Sequence, residues 1–155
     1  MSRQVIERML SIYINLNDSL GYLLNIAAGI NKSTLYSVLL PYEITPEQFI
    51  LLTRLNLEED GKNQKQLATE TFKDEANVAR ILKKLELKGY VRKISDSKDK
   101  RNNLIFITTK GHSLVGKLWP LVGSYRERMF QNLSEEEVVI LKILLKKIIE
   151  NGFED

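Results

Sequence analysis

The 155-residue chain is the size of one ordinary domain, with 43% apolar residues for a core and 28% charged residues arguing for a soluble globular protein. It has no cysteine, which excludes disulfides, thiolate metal sites and thiol redox sensing, and its one histidine, His112, excludes a histidine cluster. The net charge of +3 is uneven: residues 62–110 hold 13 Lys or Arg against 6 Asp or Glu, a net of +7, and the remainder nets −4. A basic middle between acidic flanks is the footprint of a polyanion-binding module, although a lysine-rich solvated surface gives the same count.

No apolar run reaches the roughly 18 residues that span a bilayer, and the N-terminus lacks the apolar stretch of a secretory signal. The cytoplasm is therefore the expected compartment, with no membrane partner. Residues 5–30 read as one long helix. Ile6, Tyr13, Leu20 and Ala27 recur every seven positions, as do Met9, Leu16, Leu23 and Ile30. These rows form a heptad-like seam that needs another helix beside it. A second helix opens at Thr45-Pro46-Glu47-Gln48, with Thr45 at the N-cap, Pro46 at N1 and Gln48 completing a capping box. Phe49, Leu52 and Leu55 share one of its faces, and Glu58-Glu59-Asp60-Gly61 ends it in a polar turn.

Gln64 to Phe72 reads as a short helix with Leu67 and Ala68 inward. Asp74 to Lys88 reads as a longer one, with Asp74 as N-cap, Glu75 in the first turn and Gly89 as the stop. Val78, Ile81, Leu82 and Leu85 form its buried stripe, while Asn77, Arg80 and Lys84 lie on another face. Two helices joined by a tight turn, the second basic, make a helix-turn-helix. The first helix buttresses the second, whose polar stripe projects into a major groove. Asn pairs with adenine and Arg with guanine through two hydrogen bonds each. An amphipathic helix with a solvated basic face has the same pattern.

Tyr90 to Ile94 and Leu104 to Thr108 read as strands around a polar loop with Lys98, Lys100 and Arg101. Directly after a recognition helix, such a hairpin is a wing, and Arg101 is the candidate for a minor-groove contact. Asp96 and Asp99 read as partners of nearby cations that hold the loop's shape. The full DNA-facing set is Gln64, Lys65, Lys73, Glu75, Ala76, Asn77, Arg80, Lys84, Lys98, Lys100 and Arg101.

His112 is expected at a helix start with no chemical role and no orienting partner. Leu114, Val115, Leu118 and Trp119 start another helix, which Pro120 is expected to interrupt or kink. Ser134 and Glu137 form a capping box ahead of the stripe Val138, Leu141, Leu145 and Ile148. A small central lobe offers too little surface for three long apolar helices, so the termini are expected to bury each other across a two-fold axis. The fold class is mainly α with a small β-hairpin wing (α+β). A winged helix-turn-helix lobe spans 44–111, and a dimerisation layer comes from 1–32 and 112–152 of one 1–155 domain.

Five pieces in order carry a family resemblance: Ile44-Thr45-Pro46-Glu47-Gln48-Phe49; Gln66-Leu67-Ala68 with Asn77-Val78-Ala79-Arg80; Leu85-Glu86-Leu87-Lys88-Gly89-Tyr90-Val91; Asp96-Ser97-Lys98-Asp99-Lys100-Arg101; and Ile107-Thr108-Thr109-Lys110-Gly111. In this order and spacing the chain resembles the multiple antibiotic resistance regulator (MarR) family over nearly its whole length. The resemblance implies a triangular homodimer with interlaced terminal helices, and a cytoplasmic regulator of transcription, usually a repressor released by a small, often aromatic ligand. The chain departs from the family in the turn Thr71-Phe72-Lys73, which lacks the usual glycine, and at Asp74, Glu75 and Ala76, where hydroxyl-bearing residues are common. Tyr13, Asn17, Tyr36, Arg54 and Trp119 are the candidate ligand-lining residues, and they suit plain core or surface positions equally well.

Two other function classes remain to be weighed. A winged helix also serves as a protein-interaction module without specific DNA binding, although dense lysine is unusual at protein interfaces. No nucleophile–base pairing, metal-ligand spacing or phosphate-cradling glycine loop points to an enzyme, and no cofactor is expected.

Overall fold

The computed structural model describes residues 3–5, 19–57, 60–95 and 103–152. Helix α1 spans Leu20–Leu39 and leads through a 3-10 turn, Leu40–Tyr42, into α2, Pro46–Asn56. A two-residue strand β1, Lys62–Asn63, precedes α3, Gln64–Thr71, and α4, Glu75–Leu87. Strands β2, Val91–Ser95, and β3, Asn103–Ile107, follow; the long helices α5, Thr109–Phe130, and α6, Glu135–Asn151, close the chain.

The core lies in the lobe around α2 to α4 and the first half of α5. Phe49, Leu52 and Leu55 from α2, Leu67 and Ala68 from α3, and all four stripe residues of α4 are buried together. Leu114, Val115 and Leu118 of α5 join them, with Val91 and Ile105 from the sheet. Each fully buried Leu or Ile contributes about 1.5–3 kcal/mol relative to an exposed one. The sheet is antiparallel in the order β1-β3-β2, with β2 and β3 registered from Val91 opposite Ile107 to Ser95 opposite Asn103. The hairpin is therefore present as expected, and β1 adds a third strand that two residues of sequence carry no periodicity to reveal.

Three expectations need correction. The first helix is not one element over 5–30: Ser19 is extended and α1 begins at Leu20, then continues to Leu39, because nothing breaks it before Pro41, and Ser33 and Ser37 bond back to carbonyls of the preceding turn. Residues 6–18 of the expected seam lie outside the described residues. Pro120 does not interrupt α5, which runs as one helix through it. The proline ring opposes the carbonyl four residues back, at Gly116, but buried Leu118 and Val122 on either side hold the segment against the core. His112 does have an orienting partner, since its Nδ1 lies 2.7 Å from Asn56 Oδ1 on α2.

The capping boxes behave as read. Thr45 and Gln48 bond reciprocally at 3.0 and 3.2 Å, and Ser134 and Glu137 at 2.8 and 3.2 Å. A third box, Asn63 with Gln66, opens α3 at 2.8 Å in both directions; its Asn-x-x-Gln spacing was there to be found. In contrast to the lobe, α6 buries no residue, and Leu20, Leu23, Ile26 and Ile30 of α1 are exposed.

Candidate nucleic-acid interface

The interface is built on the joint between α3 and α4. Phe72 caps α3 in the left-handed region at φ 52°, taking the conformation for which glycine is usual. Its amide and that of Lys73 bond back to the last turn of α3, through Thr69 at 3.3 Å and Ala68 at 3.0 Å. The chain then enters α4 with Asp74 Oδ1 accepting from the Asn77 amide at 2.7 Å. Gln64, at the start of α3, donates its side-chain amide to the Glu75 carbonyl at 3.1 Å. One end of each helix is thus tied to the other, and the recognition helix is held at a fixed angle by side chains as well as by the core.

On the outward side, Asn77, Arg80 and Lys84 line one polar groove of about 420 Å³ with Lys73. Arg80 Nη2 donates to Asn77 Oδ1 at 2.9 Å. A guanidinium has five donors in a fixed fork, so this bond orients Arg80 and leaves most of its donors unspent. Opposite them stand Lys32 from α1 and the first turn of α2. Lys32 Nζ lies 3.0 Å from Glu47 Oε1. Burial pushes the Glu47 carboxyl up, but hydrogen bonds from its own amide, Lys32 and Thr45, with the Lys32 charge, hold it below the ordinary carboxylate value.

The profile of the MarR family matches residues 42–102. The transcriptional regulator SarZ of Staphylococcus haemolyticus is 30% identical over 143 residues, covering 90% of this chain and 92% of SarZ. The chain belongs to the MarR family. Among solved structures, the S. aureus MepR–DNA complex matches with a TM-score of 0.80 and 27% identity, over 86% of this chain and 98% of that one. An E. coli MarR variant complexed with operator DNA matches with a TM-score of 0.79 and 29% identity, over 86% and 96%. This MarR-family chain is accordingly a winged-helix, DNA-binding regulator of transcription and not an enzyme.

Of the candidate DNA-facing residues, Lys65, Glu75, Ala76, Arg80 and Lys84 are exposed, and Gln64, Lys73 and Asn77 are half-buried. The wing residues Lys98, Lys100 and Arg101, with Asp96 and Asp99, lie outside the described residues. So do Tyr13 and Asn17 of the ligand set. Trp119 is 55% exposed and tilts against Phe49 at a ring-centroid distance of 6.4 Å. It lines an apolar crevice of about 410 Å³ between α2 and α5, together with Leu57, Val115, Pro120 and the His112–Asn56 pair. Tyr36 and Arg54 do not line that crevice. Sequence reasoning missed Lys32 and Glu47, which no local motif connects with α4. Among the described residues, no helix is long and apolar enough to cross a membrane, and no cluster of metal-ligating side chains occurs.

Proposed function

We propose that the chain is a cytoplasmic homodimeric repressor that seats α4 of each protomer in a major groove of a pseudo-palindromic operator. The two half-sites lie about one helical turn apart, and the two-fold symmetry of the dimer makes the operator pseudo-palindromic. The carrying observation is the outward row Asn77, Arg80 and Lys84 beside Lys73, on a helix whose opposite face is wholly committed to the core. In this reading Arg80 and Asn77 read base edges, each good pair discriminating by about 1–3 kcal/mol. Lys65, Lys73 and Lys84 meet phosphates, and the wing's Lys98, Lys100 and Arg101 extend the footprint. The exposed apolar rows of α1 and α6 support a second copy as their partner, since contiguous apolar faces of this extent are seldom left in water.

The release step is assigned to a small aromatic ligand in the crevice beside Trp119. Such a ligand acts by binding one lobe arrangement better than the other. The Arg80→Ala variant tests the reading. It should weaken binding to the operator, recovered from the protein's own genomic targets, by about 10-fold or more, with little change on random DNA. An equal loss on both removes Arg80 from base reading, and a protein that picks no genomic fragment above background removes the operator itself.

A further inference from the structure

The groove that holds the recognition side chains is not made by the helix-turn-helix alone. Its far wall is Lys32, which belongs to α1, and Glu47, in the first turn of α2. Four cations, Lys32, Lys73, Arg80 and Lys84, therefore converge on one polar groove that contains a single carboxylate, Glu47. Resting on the DNA-binding reading, we propose that Lys32 is a DNA-backbone contact: a phosphate flanking the half-site enters this groove and takes Lys32 as a partner.

The ion pair with Glu47 does not stand in the way. The Lys32 side chain is 69% exposed, and pairs in that much solvent contribute little to stability. Glu47 is only 28% exposed and stays on its helix, whereas the four-carbon stem of Lys32 swings freely over the groove. A phosphate carries a full charge and several acceptor oxygens, so Lys32 gains by bridging it to Glu47. The occupant is a polymer phosphate because the same groove continues along Asn77 and Arg80, which the DNA-binding reading places against bases.

Counterion release turns this into a measurement. Each phosphate neutralised contributes about 0.9 to the slope of log K against log salt on duplex DNA. Lys32→Gln should lower the slope by about 0.9 per protomer, or about 1.8 for a dimer. Between 50 and 200 mM salt, the affinity gap between wild type and variant should then shrink by about 12-fold for the dimer. The ratio of operator to random-DNA affinity should hold, because a phosphate contact carries no sequence information. Glu47→Gln should tighten binding by removing the groove's anion.

The double variant Lys32→Gln with Glu47→Gln distinguishes contact from shielding. A slope that stays low in the double variant supports contact. Recovery of the wild-type slope shows that Lys32 only screens Glu47, and overturns the proposal. An unchanged slope in Lys32→Gln overturns it too, whatever the thermal midpoint of that variant. Should the wild-type protein show no salt-sensitive DNA binding at all, the failure lies with the DNA-binding reading and takes this proposal with it.

Discussion

Gly61→Ala probes the joint between the helix-turn-helix and the wing. Gly61 sits at φ +71°, in the left-handed region, where a Cβ costs about 1–2 kcal/mol. A Cβ built there would lie 2.7 Å from Phe106 Cζ and 2.9 Å from each neighbouring ring carbon. Real Cβ atoms do not approach this closely, so the ring on β3 must move. Overpacking of this kind costs about 1–3 kcal/mol. The substitution should therefore destabilise by about 2–5 kcal/mol, read as a lower urea midpoint at unchanged slope. Adding Phe106→Leu to Gly61→Ala separates the two causes. It should return the overlap part, measured against Phe106→Leu alone, and leave the backbone part. If Gly61→Ala costs less than about 0.5 kcal/mol, or if Phe106→Leu leaves its cost unchanged, the ring does not set the constraint.

Two further outcomes follow from the caps and from the uncovered helices. Thr45→Ala removes the acceptor for the Gln48 amide and should cost about 1 kcal/mol in urea unfolding, with Gln48→Ala adding a further loss because its buried side chain separately accepts from the residue-45 amide. Leu141→Glu with Ile148→Glu places charge on one stripe of α6, which buries nothing within its own chain. Sedimentation should show monomers with unchanged helical content, and operator affinity should fall by roughly 100-fold or more as the half-sites lose their linkage; a persistent dimer would rule out this face as the interface.

Much of the lobe could be read from the chain because its signals are local. Val78, Ile81, Leu82 and Leu85 recur at helical spacing, and that spacing alone names the buried face of α4. Thr45 with Gln48 and Ser134 with Glu137 mark helix starts within four residues of sequence. What escaped depends on contacts between distant segments. Pro120 carries a local helix-breaking signal, which the packing of Leu118 and Val122 overrides. His112 finds Asn56, and Lys32 finds Glu47, only once α5 and α1 have packed against α2. The recognition face was thus visible as a pattern, whereas its far wall was a product of tertiary packing.

The C-terminal end of α4 ties the recognition helix to the segments that follow α1 and open α5. Lys88 donates to the Glu43 carbonyl, just beyond the end of α1, and Lys110, in the first turn of α5, donates to the Lys88 carbonyl at 2.7 Å. Thr108 adds bonds to the Gly89 and Tyr90 carbonyls at 2.7 and 3.0 Å. Gly111 lets this segment of chain sit so close that a Cβ there would run into the Tyr90 carbonyl oxygen. Lys110 faces the carbonyl end of α4, where the helix dipole favours a cation. A change in the angle between α1 and α5 therefore meets a joint with little slack. Absorbing it locally would break several hydrogen bonds, each worth about 0.5–1.5 kcal/mol.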